Sequence, residues 1–290
     1  EGVCDACRYA EQKNHQVDWE ERRFWLTDLC DRYRSRNGSY DCLVPGSGGK
    51  DSIFAAMVLK NEFDMHPLTV TWAPHLYSDV GWYNHQAWIH KGGFDNYLFT
   101  PDGQVHRRLT QLAFRNLLHP FQPFIFGQKN YAPKMAIKMG IPLVFYGENE
   151  AEYGNSVKDN NQAARDNSYF SSMSQTNQSF YFGGVAFDEL AQHGILPGQM
   201  EPYLPADTDS LIEAEVDVKY LGYYLKWVPQ ECYYYSAEHV GFMANEDRTE
   251  GTYSKYASLD DKVDGFFFYT SYIKFGLGRA SYDAAQEIRN

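Results

Sequence analysis

Between residues 40 and 150, short apolar runs alternate with longer stretches whose apolar positions recur every three or four residues. The short runs, at 40–45, 68–72, 95–99 and 142–146, predict strands. The longer ones, at 52–63, 79–91, 104–118 and 129–139, predict helices. Strands that alternate with helices build a parallel sheet covered on both faces, so the expected fold class is α/β, a doubly wound parallel sheet. Ligands of such sheets bind beyond the carboxyl ends of the strands. That rule puts the segments after 45, 72 and 146 on one rim.

Either side of this region the pattern changes. Residues 18–35 read as an amphipathic helix, with Asp18 as N-cap and Glu20 and Glu21 in the first turn. Residues 151–182 are polar, as a mobile cover over a site or a surface linker would be. Residues 183–200 read as helical, with Phe187, Leu190 and Ile195 apolar. Residues 211–290 mix short strands, aromatic clusters and charged loops, and the helical pattern of 284–290 is still running at the last residue. The division expected is 1–35, 36–200 and 201–290, and more chain is expected beyond both ends.

With 290 residues and 43% apolar content, a sizeable core is available. The 23 tyrosines add flat apolar faces with polar tips, suited to sugars or nucleobases as well as to a core. A net charge of −12 argues against a partner with a phosphate backbone, such as tRNA. No run of 18 apolar residues and no leader pattern is present, so neither a membrane nor export is expected. The five cysteines do not form a disulfide framework, which fits the reducing cytoplasm.

The chemistry is concentrated in Ser47-Gly48-Gly49-Lys50-Asp51-Ser52, between the first strand and its helix. Glycines let the backbone approach an anion, and a helix N-terminus offers free N–H groups and a positive dipole end. Ser47 and Ser52 add hydroxyls and Lys50 adds a full charge. The string differs from the usual G-x-x-x-x-G-K-[ST] phosphate loop. It resembles the PP-loop of the ATP pyrophosphatases (adenine nucleotide alpha hydrolase-like fold), in which ATP is cut between its α and β phosphates.

Further stretches carry a narrower resemblance. They are Glu1-Gly2-Val3-Cys4-x-x-Cys7, Val17-Asp18-Trp19-Glu20-Glu21-Arg22, Gly147-Glu148-Asn149-Glu150-Ala151-Glu152-Tyr153-Gly154 and Asp166-Asn167-Ser168-Tyr169. Later come Tyr220-Leu221-Gly222-Tyr223-Tyr224-x-Lys226-Trp227, Arg248-Thr249-Glu250-Gly251-Thr252-Tyr253-Ser254-Lys255-Tyr256, Asp260-Asp261-Lys262 and Ile273-Lys274-Phe275-Gly276-x-Gly278-Arg279-Ala280. Together they resemble the N-acetyl sugar amidotransferase family, which makes acetamidino sugars for O-antigens (lipopolysaccharide) and flagellar glycans. The chain departs from that family in lacking its first Cys-x-x-Cys.

The resemblance implies a carbon–nitrogen ligase using ATP and Mg²⁺. The acetamido oxygen of a sugar, expected to be UDP-linked, attacks the α phosphate, pyrophosphate leaves, ammonia attacks the imidate carbon, and AMP departs to give the acetamidine. Ser47, Gly48, Gly49, Lys50 and Ser52 would hold the pyrophosphate, with Trp72 on the same rim. Asp51 would place magnesium or simply match the helix dipole. Glu148 and Glu152, four apart, would share a helical face and bind magnesium, recognise hydroxyls or take a proton from ammonia. Asn149, Tyr153, Glu250, Tyr253, Lys255, Lys274 and Arg279 are candidates for the sugar and its nucleotide.

Cys4 and Cys7 have the spacing of half a structural zinc site. The other half lies upstream, or Cys30 and Cys42 supply it, or no metal binds. No cysteine stands in a glutaminase signature. The resemblance therefore implies a separate glutaminase subunit and an ammonia-channelling, cyclase-like partner, and it leaves self-association open. The alternatives are a tRNA 2-thiolating PP-loop enzyme and a non-catalytic nucleotide-binding subunit.

Overall fold

A computed structural model describes residues 2–148, 150–153 and 180–290, with only the backbone described for Glu150 and Tyr153. The chain begins with helices α1 (Asp5–His15) and α2 (Trp19–Tyr33). The Asp18 carboxylate accepts from the Glu20 and Glu21 amides, so it caps α2 as expected. Strand and helix then alternate: β1 (Cys42–Pro45), α3 (Lys50–Glu62), β2 (Pro67–Trp72), α4 (Asp79–His90), β3 (Asn96–Phe99), α5 (Gly103–Leu117), α6 (Gln122–Met139) and β4 (Leu143–Tyr146). Helix α6 starts well before residue 129, because Pro123 occupies its first turn, where a missing N–H costs nothing.

A 3₁₀ turn, Glu150–Tyr153, follows β4. Next come the hairpin strands β5 (Tyr181–Phe182) and β6 (Val185–Ala186), and 3₁₀ helices at Phe187–His193 and Pro197–Tyr203. The helix expected over 183–200 is thus replaced. Gly183 and Gly184, with φ of +61° and +76°, supply the two left-handed positions of a hairpin turn. The chain ends with α7 (Thr208–Glu213), β7 (Asp217–Tyr220), α8 (Leu221–Tyr224), α9 (Pro229–Val240), α10 (Asp264–Phe275) and α11 (Arg279–Arg289).

Five strands form one sheet in the order β3-β2-β1-β4-β7, every neighbouring pair parallel. The sheet reaches past residue 200, since β7 pairs with β4. Leu43 of β1 lies opposite Leu68 on one side and Val144 on the other. The chain turns outward in both directions from this β1–β4 pair, so the segments after the two strands diverge and open a crevice between them. Helices cover both faces. Leu26, Ile53, Leu59 and Trp227 are buried on one face, and Ala132, Met135, Leu211 and Val218 on the other. Each fully buried leucine or isoleucine contributes about 1.5–3 kcal/mol. A third, aromatic cluster of Trp72, Phe121, Phe124, Phe182 and Tyr203 fills the end of the sheet near the hairpin. Among the described residues no helix is long and apolar enough to cross a membrane.

Candidate active site

The glycine loop lies in the crevice at the carboxyl end of β1. Gly46 N–H donates to Val70 O at 2.9 Å, tying the loop to β2. Gly48 takes φ +88°, and a Cβ there would stand 2.5 Å from His85 Cα on α4. Both the conformation and the space demand glycine. Gly49 is the N-cap of α3 and no side chain caps it, so the first amides of α3 face the crevice without a side-chain acceptor.

Two cavities meet at this loop. The smaller, about 330 Å³, is lined by Ser47, Gly48, Gly49, Lys50 and Asp51 on one side and by Asp260, Asp261 and Asp264 on the other. The larger, about 790 Å³, shares Lys50 and Asp51 and continues past Glu148, Trp227, Gln230 and Tyr282 to Arg279. Tyr256, Ser258, Phe267 and Phe268 line both. The Lys50–Asp51 ion pair therefore stands at the junction. Burial works against the Lys50 charge, but Asp51 beside it and Glu148 nearby more than offset this and hold the ammonium above its ordinary value. Lys50 stays charged at the junction of the two cavities.

The opposing acids are crowded. Asp261 is held by the His75 amide at 2.6 Å, the Val263 amide at 2.9 Å and the His75 ring at 3.0 Å. Burial pushes the Asp260 carboxyl up, against a hydrogen bond from Ser47. Burial, with Asp260 and Asp261 adjacent, lifts Asp264 to about 8. None of these acids had a role assigned from sequence. Asp260 and Asp261 stand in one of the stretches that carry the resemblance, but a run of charge in a loop is usually solvated and points to no role by itself.

The structure separates the expected site residues. Ser47, Gly48, Gly49, Lys50 and Asp51 converge on the smaller cavity, while the Ser52 hydroxyl donates back to Gly49 O at 2.9 Å. Glu148 and Arg279 line the larger one. Trp72 lines neither: it is 4% exposed, between Phe99 and Tyr203 in the aromatic core. Glu152 turns away from Glu148 and accepts from Lys13 Nζ at 2.8 Å. The two acids do not share a face.

The C-terminal candidates scatter. Glu250 is exposed and lines neither cavity; its carbonyl accepts from Arg279 Nη1 at 3.4 Å. Tyr253 bonds with Glu287. Lys255 Nζ donates to Glu246 O at 2.6 Å and Lys274 Nζ to Leu117 O at 3.0 Å. Asn149 and the Tyr153 side chain lie outside the described residues. Ser254 and Tyr256, beside the candidates Tyr253 and Lys255, are the ones that reach the cavity.

Cys4 and Cys7 are exposed at the start of α1, with Sγ atoms 3.4 Å apart. Cys30 and Cys42 are buried in the core and do not complete their set. Among the described residues no group of three or more His, Cys, Asp or Glu side chains is arranged to hold a metal, so these residues do not support structural zinc.

No family model matches the chain, and no curated protein matches it. Among solved structures it is similar to the NMN synthetase of Francisella tularensis. Identity is 11% with a TM-score of 0.30, over 79% of this chain and 87% of that one.

Proposed function

We propose that this chain is an ATP-using PP-loop synthetase that adenylates an acceptor oxygen and releases pyrophosphate. The observation that carries the reading is the loop at the head of α3. Its backbone and Lys50 point into a phosphate-sized cavity that opens, across the Lys50–Asp51 pair, into a larger chamber. The β and γ phosphates occupy the small cavity against the loop amides and Lys50. The acceptor enters from the large one, and the α phosphate lies at the junction. A phosphoryl transition state spreads charge over its oxygens, so preorganised donors at that point do the catalysis.

Four carboxylates line the small cavity, and a phosphate chain enters it only with its charge partly neutralised. Magnesium bound to nucleotide needs one or two protein carboxylates. Asp51 with Asp260 would meet that need, and a cation there would offset part of the burial and neighbouring charge that raise Asp264. When bound it neutralises charge on the leaving pyrophosphate.

Within this reading the acceptor is the acetamido oxygen of an N-acetyl sugar, expected to be nucleotide-linked, and the product is an acetamidine. The aromatic and amide lining of the large cavity suits a sugar face and its hydroxyls. Ammonia comes from a separate glutaminase. Cys232, the thiol near the junction, is 1% exposed and burial pushes its pKa well up, the opposite of an activated nucleophile. The same burial and shift at Cys42 disfavour sulfur transfer to tRNA.

The test is phosphorus NMR of the products from ATP, Mg²⁺, ammonium and N-acetylated UDP-sugars. AMP and pyrophosphate are expected, with turnover in Lys50→Ala lower by on the order of 10²-fold or more. ADP with free phosphate would sink the reading.

A further inference from the structure

Helix α10 carries large apolar side chains on two opposite faces. Phe267, Phe268 and Phe275 line the cavities. Phe266, Tyr269, Tyr272 and Ile273, at spacings of three, six and seven, form the outer face and are 62, 63, 56 and 55% exposed. Phe275 and Leu277 are 69 and 67% exposed while still lining the large cavity, so the outer patch runs into the cavity mouth. A helix that is hydrophobic all round is ordinarily buried, and a patch of this kind on a surface marks an interaction site.

We propose that a second copy of this chain seats on the outer face of α10, in a two-fold dimer whose interface borders the mouths of both large cavities. Area is the first argument. A large aromatic side chain buries about 150–250 Å², so Phe266, Tyr269, Tyr272 and Phe275, each more than half exposed, offer roughly 500 Å², to which Ile273 and Leu277 add. A stable interface needs about 800 Å² per partner. Charge is the second argument. The patch contains no carboxylate, and its neighbour Lys274 is engaged with Leu117 O. Each copy carries −12 overall. Meeting at a neutral face keeps the acidic surfaces apart, whereas an anionic membrane would repel the chain. Geometry adds to this: antiparallel copies of α10 place each helix N-terminus beside the partner's C-terminus, a favourable pairing of dipoles.

Sedimentation velocity across a wide range of concentration tests this, and the readout is mass, independent of any activity. The 33.5 kDa chain should run as a dimer. Tyr269→Glu and Ile273→Glu place a charge in the interface without touching the cavities, and each should weaken dimerisation by roughly 100-fold or more. Their circular dichroism and melting should match the parent chain's monomer. Phe24→Glu, at another exposed apolar residue on α2, should leave the dimer intact. A parent chain that stays monomeric at high concentration would overturn the proposal, as would a dimer untouched by both α10 variants. A monomer that co-floats with neutral lipid vesicles would also overturn it and assign the face to a membrane.

Discussion

Lys13 is a charged side chain with 0% side-chain exposure, and replacing it with methionine tests what fastens α1 to the rest of the molecule. Its ammonium donates to Glu152 Oε1 at 2.8 Å, Trp227 O at 2.6 Å and Asn290 Oδ1 at 2.7 Å. One group thus ties α1 to the turn after β4, to the wall of the large cavity and to the end of α11. Burial lowers the pKa of Lys13 and raises that of Glu152, and on each side it outweighs the partner's attraction. The charged pair is costly as a unit, yet costlier to break. Lys13→Met leaves a buried carboxylate and two acceptors alone, which should cost about 3–5 kcal/mol at pH 7. In Lys13→Met with Glu152→Leu both charges are gone; the part-buried Asn290 amide can turn to water, and the Trp227 carbonyl is the acceptor left orphaned, at about 1–3 kcal/mol. The double variant should therefore be more stable than Lys13→Met.

The pH dependence gives a second handle. Without Lys13, Glu152 loses the partner that lowers its pKa, so the folded state holds its proton further above the unfolded value. A folded state that binds more protons gains stability as pH falls. The deficit of Lys13→Met should shrink from pH 7 to pH 5 by up to about 1.4 kcal/mol per pH unit. Urea unfolding of the parent, both single variants and the double at the two pH values measures all of this. A loss under about 1 kcal/mol in Lys13→Met, or a double variant as unstable as the sum of the singles, would refute the reasoning.

Gly48→Ala should abolish ATP binding in a titration and lower the melting temperature, because its Cβ meets the His85 backbone and its φ is +88°. Asp264 keeps its proton to about 8 in the folded chain, against about 4 unfolded, so stability should fall as pH rises between those values and level off above. Asp264→Asn should flatten that fall in urea midpoints taken at pH 5 and pH 8; an unchanged slope would place the titration elsewhere.

What was legible in the sequence is what local rules determine. The first four strands, the Asp18 cap and the glycine loop each depend on residues within a turn or two of one another, through periodicity, an N-cap carboxylate and glycine φ. Tyr-Phe-Gly-Gly-Val-Ala at 181–186 also holds a local signal, since two glycines between apolar pairs read as a hairpin turn, but the apolar spacing of Phe187, Leu190 and Ile195 fits an α-helix as well and competes with it. The cavity walls gave no such signal. Glu148, Trp227, Tyr256 and Arg279 meet from four separate segments.

Glu148 and Glu152 show why a correct spacing rule still misplaced a residue. Acids four apart share a face only on an α-helix. The 3₁₀ turn runs only from Glu150 to Tyr153, so Glu148 lies before it and the two acids are not on one α-helix. Glu148 is left at the cavity, and Glu152 faces α1, where the ammonium it accepts from belongs to Lys13, 139 residues earlier in the chain. Local backbone, not composition, sends one acid of the pair to the cavity and the other to a buried ion pair. The Lys13 variants therefore probe the scaffold half alone: they should move stability, with the Lys50–Asp51 junction left in place.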